Sequence, residues 1–118
     1  MLVVLLFNTI TGLLLAVLSI PLILQKIGPN PWYGFRVKKT LDDPAVWYPV
    51  NTYAGKRLLA AGLVSSLFAV LFFFVPGLDL NTYALVCAGI SLGGLLVALI
   101  QSIFYLRSFP SKSAPPKE

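Results

Sequence analysis

The segment from Asn30 to Thr40 concentrates side chains that could bind a charged group. It reads NPWYGFRVKKT and places Arg36 among three aromatic residues and one glycine. An arginine guanidinium can stack on an aromatic ring while its two arms grip a phosphate or a carboxylate. The pattern therefore favours recognition of an anion. The alternative is an interfacial anchor, because aromatic and basic residues gather at headgroup depth in most membrane proteins.

The two interpretations apply differently to the individual residues. The anchor is the favoured role for the flexible point charges, which are Lys38, Lys39, Lys56 and Arg57. For Arg36 and Asn51 both interpretations stay open. We expect each of these two to bond to the other's backbone and so to fold the segment into a compact cap.

Catalytic chemistry has little support in this sequence. There is no histidine, and the single cysteine, Cys87, lies in an apolar run. Asp42 and Asp43 are adjacent, so they point in different directions, and Asp79 stands alone. No nucleophile motif or phosphate loop is present. We expect no enzyme, no cofactor and no metal site, and the spans lack the ionisable residues that mark an ion path.

The composition indicates a membrane protein. Of 118 residues, 58% are hydrophobic and 11% are charged, and the mean hydropathy is +0.86. A soluble domain has about a quarter of its residues charged. The sequence predicts an all-α membrane protein with one domain over 1–107, and its three transmembrane helices cover about 1–24, 56–75 and 80–106. A structured cytoplasmic loop, 25–55, joins the first two, and a disordered basic tail covers 108–118.

The basic residues predict the orientation of these spans. Every Lys and Arg falls in the first loop, at its edges or in the tail. With three spans these regions share one side, and the positive-inside rule assigns that side to the cytoplasm. The N-terminus and the turn Pro76–Asp79 are then outside, and the C-terminus is cytoplasmic. We expect the lipid bilayer as a partner and no direct nucleic-acid binding.

Small residues one helical turn apart occur in all three spans. Such residues let helix backbones approach closely in lipid. We expect them to pack the three spans against one another rather than to form a homodimer; they are Gly12 and Ala16, Ala61 and Ser65, and Gly89 and Gly93. Near the outer end, we expect polar side chains to pair with Asn81 or Thr82 or to line a shallow cleft, and these are Asn8, Thr9 and Thr11.

The loop itself has two parts. Pro29 and Pro31 exclude a helix from the first part. The second part starts a helix, because Asp43 can cap it and Pro44 suits its first position. We expect this helix to run into the second span with Trp47, Asn51 and Gly55 on one face. Pro49 should kink or delay it.

The spacing of uncommon residues in this loop resembles the signature of the SdpI family of bacterial membrane proteins. The matching positions are Asn30, Gly34, Arg36, Thr40, Trp47, Asn51 and Gly55. The sequence departs from the usual pattern at Thr52, where a basic residue is common, and at Pro49. These departures concern the geometry of the helix.

The resemblance implies a receptor, immunity or signalling factor in the bacterial cytoplasmic membrane. The family's namesake protects its cell against a secreted peptide toxin and holds a transcriptional repressor at the membrane, but it is longer and has additional spans. Two alternatives stay open. One is a small accessory subunit of a larger membrane complex, and the other is an element that binds anionic lipid headgroups. A protein partner in or at the membrane is expected if the chain is a receptor, immunity or signalling factor, or if it is an accessory subunit.

Overall fold

The computed structural model describes residues 1–110 as helices joined by short connections. The helices are α1 (Leu2–Ile23), α2 (Lys38–Leu41), α3 (Pro44–Phe73) and α4 (Leu80–Arg107). No strand occurs in this part of the chain, so the predicted all-α class is confirmed. The predicted tail begins at Ser108, and its residues 111–118 lie outside the described part.

Three of these helices, α1, α3 and α4, are long and apolar enough to cross a membrane, with mean hydropathies of 2.4, 1.7 and 2.3 in their best windows. Large apolar side chains are exposed along all three, including Phe7, Leu67 and Phe104. A bilayer covers such side chains, whereas water would not. The chain is therefore a multi-pass membrane protein.

The end of α1 is set by its backbone. Gln25 has a φ of 59°, in the left-handed region. Its N–H donates to the carbonyl of Leu22 at 3.2 Å, and the N–H of Lys26 donates to the carbonyl of Pro21 at 3.0 Å. This pair of bonds is the Schellman arrangement, which satisfies the last free carbonyls and turns the chain away from the helix axis. The loop thus leaves α1 in a fixed direction.

The start of α3 agrees with the sequence. The helix begins at Pro44, and the Asp43 carboxylate accepts from the N–H of Ala45 at 3.0 Å. Its 30 residues make about 45 Å of helix, which exceeds the roughly 30 Å of hydrocarbon in a bilayer. The helix continues through Pro49 without delay, and Val46 and Val50 on either side of it are buried.

The packing of α1 against α3 depends on small residues seven positions apart. A Cβ on Gly12 would overlap the Ser66 side chain and lie 2.5 Å from the Gly62 carbonyl oxygen. At Gly55 a Cβ would lie 3.2 Å from the Ser19 carbonyl oxygen. The two backbones therefore touch at two levels, and side chains larger than glycine are excluded at both. Ala16 is buried in the same contact.

The fourth helix joins this pair through a tight turn and a tyrosine. Gly77 has a φ of 77°, as the predicted turn at Pro76–Asp79 requires. The Tyr83 hydroxyl donates to the Ala69 carbonyl at 2.6 Å, and both residues form a buried cluster with Cys87. The cysteine is thus a small buried apolar residue, as the sequence predicts.

The glycines of α4 are placed differently from the prediction. A Cβ on Gly89 or Gly93 would have nothing within 4 Å, whereas one on Gly94 would contact Ala61 at 3.5 Å. The GxxxG face therefore lies open instead of packing against the other two spans. The small residues of α3 are used, because Ala61 meets α4 and Ser65 is buried.

Near the N-terminal end of α1, the Asn8 side chain bonds to partners other than the expected Asn81 and Thr82. Asn8 donates to the Val4 carbonyl at 2.9 Å and accepts from the Ser91 hydroxyl at 3.4 Å. The Ser66 hydroxyl donates to the Thr9 carbonyl at 3.0 Å. Asn81 and Thr82 are exposed at the start of α4. The bonds from Ser91 to Asn8 and from Ser66 to the Thr9 carbonyl join neighbouring helices, whereas the Thr9 hydroxyl is buried without a partner among residues 1–110. Asn8 and Thr11 line a small cavity of about 40 Å³.

Candidate functional site

Asn30 organises the first turn of the loop. Its side-chain oxygen accepts from the N–H groups of Trp32 and Tyr33 at 2.8 and 2.7 Å. Its amide nitrogen donates to the carbonyls of Gly28 and Tyr33 at 2.8 and 3.0 Å. An asparagine side chain has one acceptor and two donors, so this residue uses its whole capacity on the backbone around it. An aspartate could not make the two donated bonds.

Gly34 has two independent reasons to be glycine. Its φ of 113° is a conformation that L side chains rarely adopt. A Cβ there would also lie 2.7 Å from Asn51 Oδ1 and 3.2 Å from the Trp47 ring. The loop backbone therefore lies directly on α3 at this point, and any side chain would lift it away.

Trp47 and Asn51 hold the loop from the helix side. Trp47 is fully buried, and its indole N–H donates to the Ile27 carbonyl at 2.7 Å. Asn51, one turn later, accepts from the N–H of Phe35 at 2.6 Å and donates to the Trp47 carbonyl at 3.0 Å. These two side chains fix both halves of the loop to one face of α3. Gly55 continues this face at the contact with α1.

Thr40 closes the second half of the loop. Its buried hydroxyl accepts from the N–H of Val37 at 3.0 Å and lies 2.8 Å from the Phe35 carbonyl oxygen. Phe35 is therefore held through its N–H by Asn51 and through its carbonyl by Thr40. This arrangement places the short helix α2 beneath the start of α3.

Arg36 occupies a different environment. It is exposed, and one arm of its guanidinium donates to the Pro31 carbonyl. The expected mutual bonding of Arg36 and Asn51 is not what the structure shows, because Asn51 bonds to the neighbouring residue, Phe35. The aromatic ring-to-cation contacts in residues 1–110 involve Arg57 and Arg107, so Arg36 does not stack on a ring. Its fork is directed by a backbone carbonyl instead.

Lys39 has a role that the sequence analysis missed. Its ammonium donates to the carbonyls of Leu106, at 3.1 Å, and Phe109, at the end of α4. The Leu106 carbonyl also accepts from the N–H of Phe109 at 3.1 Å, so Lys39 adds a second donor to it, and a cation there suits the negative end of the helix dipole. Lys39 thus ties the loop to the third span, whereas the Lys38 side chain is exposed and its ammonium makes no hydrogen bond to residues 1–110. The two lysines are not interchangeable.

An aromatic stack joins α3 and α4 at the same end. The rings of Tyr53 and Tyr105 are parallel, with centroids 4.4 Å apart, and the Arg57 guanidinium lies 4.9 Å from the Tyr53 ring centre. Phe109 meets Tyr105 edge-on. This stack was also missed, because the two tyrosines are far apart in the sequence and neither belongs to a local pattern.

Beneath the loop, an apolar cavity of about 250 Å³ lies between α1 and α3. Tyr33, Gly34 and Phe35 form its wall on the loop side, and side chains from both helices form the rest. The Tyr33 hydroxyl is buried and has no hydrogen-bond partner among residues 1–110. Burial raises the pKa of this hydroxyl, so it stays a neutral donor.

The predicted site residues therefore separate into two groups. Arg36 alone of the seven is exposed; the others are buried or half-buried and hold the backbone or space the helices. We call the six buried or half-buried residues the frame, defined as Asn30, Gly34, Thr40, Trp47, Asn51 and Gly55. We call the exposed set the face, defined as Trp32, Arg36 and Lys38, and Trp32 is 86% exposed. In the described part no three His, Cys, Asp or Glu side chains come together.

Comparison with known proteins assigns this arrangement to a family. The model of the SdpI/YfhL protein family matches residues 26–106, which cover the loop and both following spans. A search of curated proteins and a search of solved structures each found no match.

Proposed function

The chain belongs to the SdpI/YfhL protein family, and from this we propose that it acts as a membrane receptor, immunity or signalling factor. It would present the face to a partner on the cytoplasmic side. One observation carries the proposal. The frame residues use their hydrogen-bonding capacity on the loop, so that Trp32 and Arg36 are held on a fixed support. A rigid exposed aromatic and an arginine are the residue types that most often dominate binding energies in interfaces.

The partner's chemistry follows from Arg36. One arm of the guanidinium is oriented by the Pro31 carbonyl, which leaves further donors for a carboxylate or a phosphate. We propose a binding role without catalysis. If the namesake's activity carries over, the protein protects its cell against a peptide toxin and recruits a regulator through the face.

The proposed orientation is N-terminus outside and C-terminus cytoplasmic, in the bacterial cytoplasmic membrane. It rests on the basic residues at the loop end of the bundle. Reporter fusions after Asp79 and after Pro110 test it. The proposal expects opposite sides for the two reporters, with Pro110 inside. A cytoplasmic signal from both would overturn the orientation.

A pulldown from native membranes in mild detergent, with mass spectrometry of the retained proteins, tests the function. Arg36→Lys should lose most of the retained partner while the protein accumulates normally, because an ammonium cannot copy the bidentate grip. Lys38→Ala, the matched control on the same face, should lose little. Survival under peptide-toxin challenge should follow the same order. If Arg36→Lys and wild type retain the partner and survive equally, the face is only an interfacial membrane anchor and the proposed function is wrong.

The open glycines of α4 favour a second candidate, the accessory subunit. Gly89 and Gly93 have free space over their Cα atoms, and small residues let a further helix approach closely. Gly93→Leu should then release a membrane partner that Arg36→Lys retains. Release by both variants, or by neither, would count against this candidate.

A further inference from the structure

The cavity beneath the loop has the form of a slot along α1. Its α1 lining comes from Leu15, Leu18, Ser19 and Leu22, which lie on one face of the helix. From Leu15 to Leu22 the helix rises about 10 Å. The slot thus extends from the loop toward the middle of the span, in the direction of a lipid acyl chain.

The lining of the slot is apolar except at two points. The Ser19 hydroxyl is satisfied, since it donates to the Leu15 carbonyl at 2.7 Å. The Tyr33 hydroxyl is buried and unpartnered in the described chain, although it is a strong donor. An occupant that matches the slot is therefore a hydrocarbon chain with an acceptor oxygen at its loop end.

Charge around the mouth of the slot has one dominant sign. Arg36 follows the lining residue Phe35, and Lys26 comes four residues after the lining residue Leu22, just beyond the end of α1. Both basic side chains are exposed. Cations near a lipid surface attract anionic headgroups.

We propose that the slot binds one acyl chain of an anionic glycerophospholipid. The ester carbonyl of the chain accepts a hydrogen bond from Tyr33, and the phosphate lies among the basic residues at the mouth. The lipid would then support the loop from below, between α1 and α3. The slot lies beside the face and shares Arg36 with it at the mouth, but the proposal does not depend on the immunity or signalling role.

The test uses the full chain, purified in mild detergent and offered phosphatidylglycerol or phosphatidylcholine as the probe. Native mass spectrometry measures the bound lipid. Wild type should prefer phosphatidylglycerol by about fivefold, as expected for one engaged cation. Ala54→Leu, which fills the slot, should reduce binding about tenfold, because two excluded methylene groups correspond to such a factor. Ala60→Leu is the matched control on the opposite side of α3, and it should bind as wild type does.

Two further measurements keep the proposal falsifiable if Ala54→Leu fails to fold. Tyr33→Phe should reduce binding about fivefold, because it removes only the donor. In a Trp32→Phe background, phosphatidylglycerol with brominated chains should quench the buried Trp47, which lies beside Gly34. Unchanged binding in Ala54→Leu or Tyr33→Phe, no headgroup preference, or no quenching would each overturn the proposal. Retention of a polypeptide in place of lipid would do the same.

Discussion

The contact between α1 and α3 and the surface of α4 differ in how many of their small residues take part in packing. Between α1 and α3, glycines bring the backbones into contact and the loop is fixed to the helices by buried hydrogen bonds. Along α4, Gly89 and Gly93 face open space, and the contacts with α3 come from other residues, such as Tyr83 on Ala69, Gly94 beside Ala61 and Tyr105 on Tyr53. Both sides have small residues at helical spacing, so spacing alone does not show which glycines are in contacts.

The difference indicates what the signature residues do. Those with the strongest hydrogen-bonding capacity, Asn30 and Asn51, are occupied with the protein's own backbone. They specify an architecture, and binding falls to the residues that this architecture exposes. The predictions below compare a residue that makes a defined contact in the structure with a matched residue that does not, or with a variant that removes the contact.

The largest effect is expected at the contact of α1 with α3. In Gly62→Ala the added Cβ would overlap the Gly12 carbonyl oxygen and lie 3.2 Å from the Ala16 nitrogen, and the backbone there cannot move aside. We expect a loss of about 2 kcal/mol or more in the free energy of unfolding. Gly93→Ala, with nothing within 4 Å, should instead raise it by about 0.5–1 kcal/mol, because alanine favours a helix more than glycine does. Unfolding in detergent measures both, and equal effects would contradict the contrast.

The next effect concerns Asn51. Asn51→Leu leaves the N–H of Phe35 without its acceptor next to a buried helix face. A buried donor without a partner costs about 1–3 kcal/mol, so the unfolding free energy should fall by that amount. Asn81→Leu replaces an exposed asparagine on α4 and should have little effect. A tolerated Asn51→Leu would show that the loop does not depend on this bond.

A smaller effect separates the two lysines. Lys39→Met removes the cation from the last carbonyls of α4 and should cost about 1 kcal/mol or less, because the site is partly exposed. In this variant the amide hydrogens near Leu106 should exchange faster, because the end of α4 is no longer bonded to the loop. Lys38→Met should leave that exchange unchanged. Equal exchange in the two variants would contradict a separate role for Lys39.

The smallest effect is a pH dependence at the turn before α4. Hydrogen bonds from Thr82, first from its side chain and then from its backbone, hold the pKa of Asp79 below its usual 3.8. A lowered folded pKa means that this stabilisation is complete above 3.8 and is lost as the pH falls through the folded value. The protection of the Thr82 amide against exchange, taken relative to its intrinsic exchange rate at each pH, should therefore fall in acid, and Asp79→Asn should remove this fall. An unchanged acid response in Asp79→Asn would contradict it.

Much of the fold could be predicted because its signals are local. Three apolar runs predict three helices, and the Asp43–Pro44 pair predicts the start of α3. The shared face of Trp47 and Asn51 follows from their four-residue spacing. The delay expected at Pro49 does not occur, because α3 begins at Pro44 and continues through Pro49, whereas the expected kink stays a prediction.

The rest depends on which faces meet, and this is a property of the assembled helices. Gly62 was missed because small residues were sought at intervals of four, whereas the contact uses the seven-residue interval from Gly55. The partner of Asn51 was misplaced by one residue, since only the folded loop shows that Phe35 faces it. Lys39 and its partner Leu106 are 67 residues apart in the sequence, so no local pattern indicates their hydrogen bond.

Amide hydrogen exchange at Phe35 tests the division into frame and face most directly. It is compared in wild type, Asn51→Leu and Arg36→Lys. Asn51→Leu should exchange about 10- to 100-fold faster, because the N–H loses its acceptor. Arg36→Lys should exchange as wild type does, because Arg36 contributes to binding and not to the fold of the loop. Fast exchange in Arg36→Lys, or protection retained in Asn51→Leu, would contradict the account.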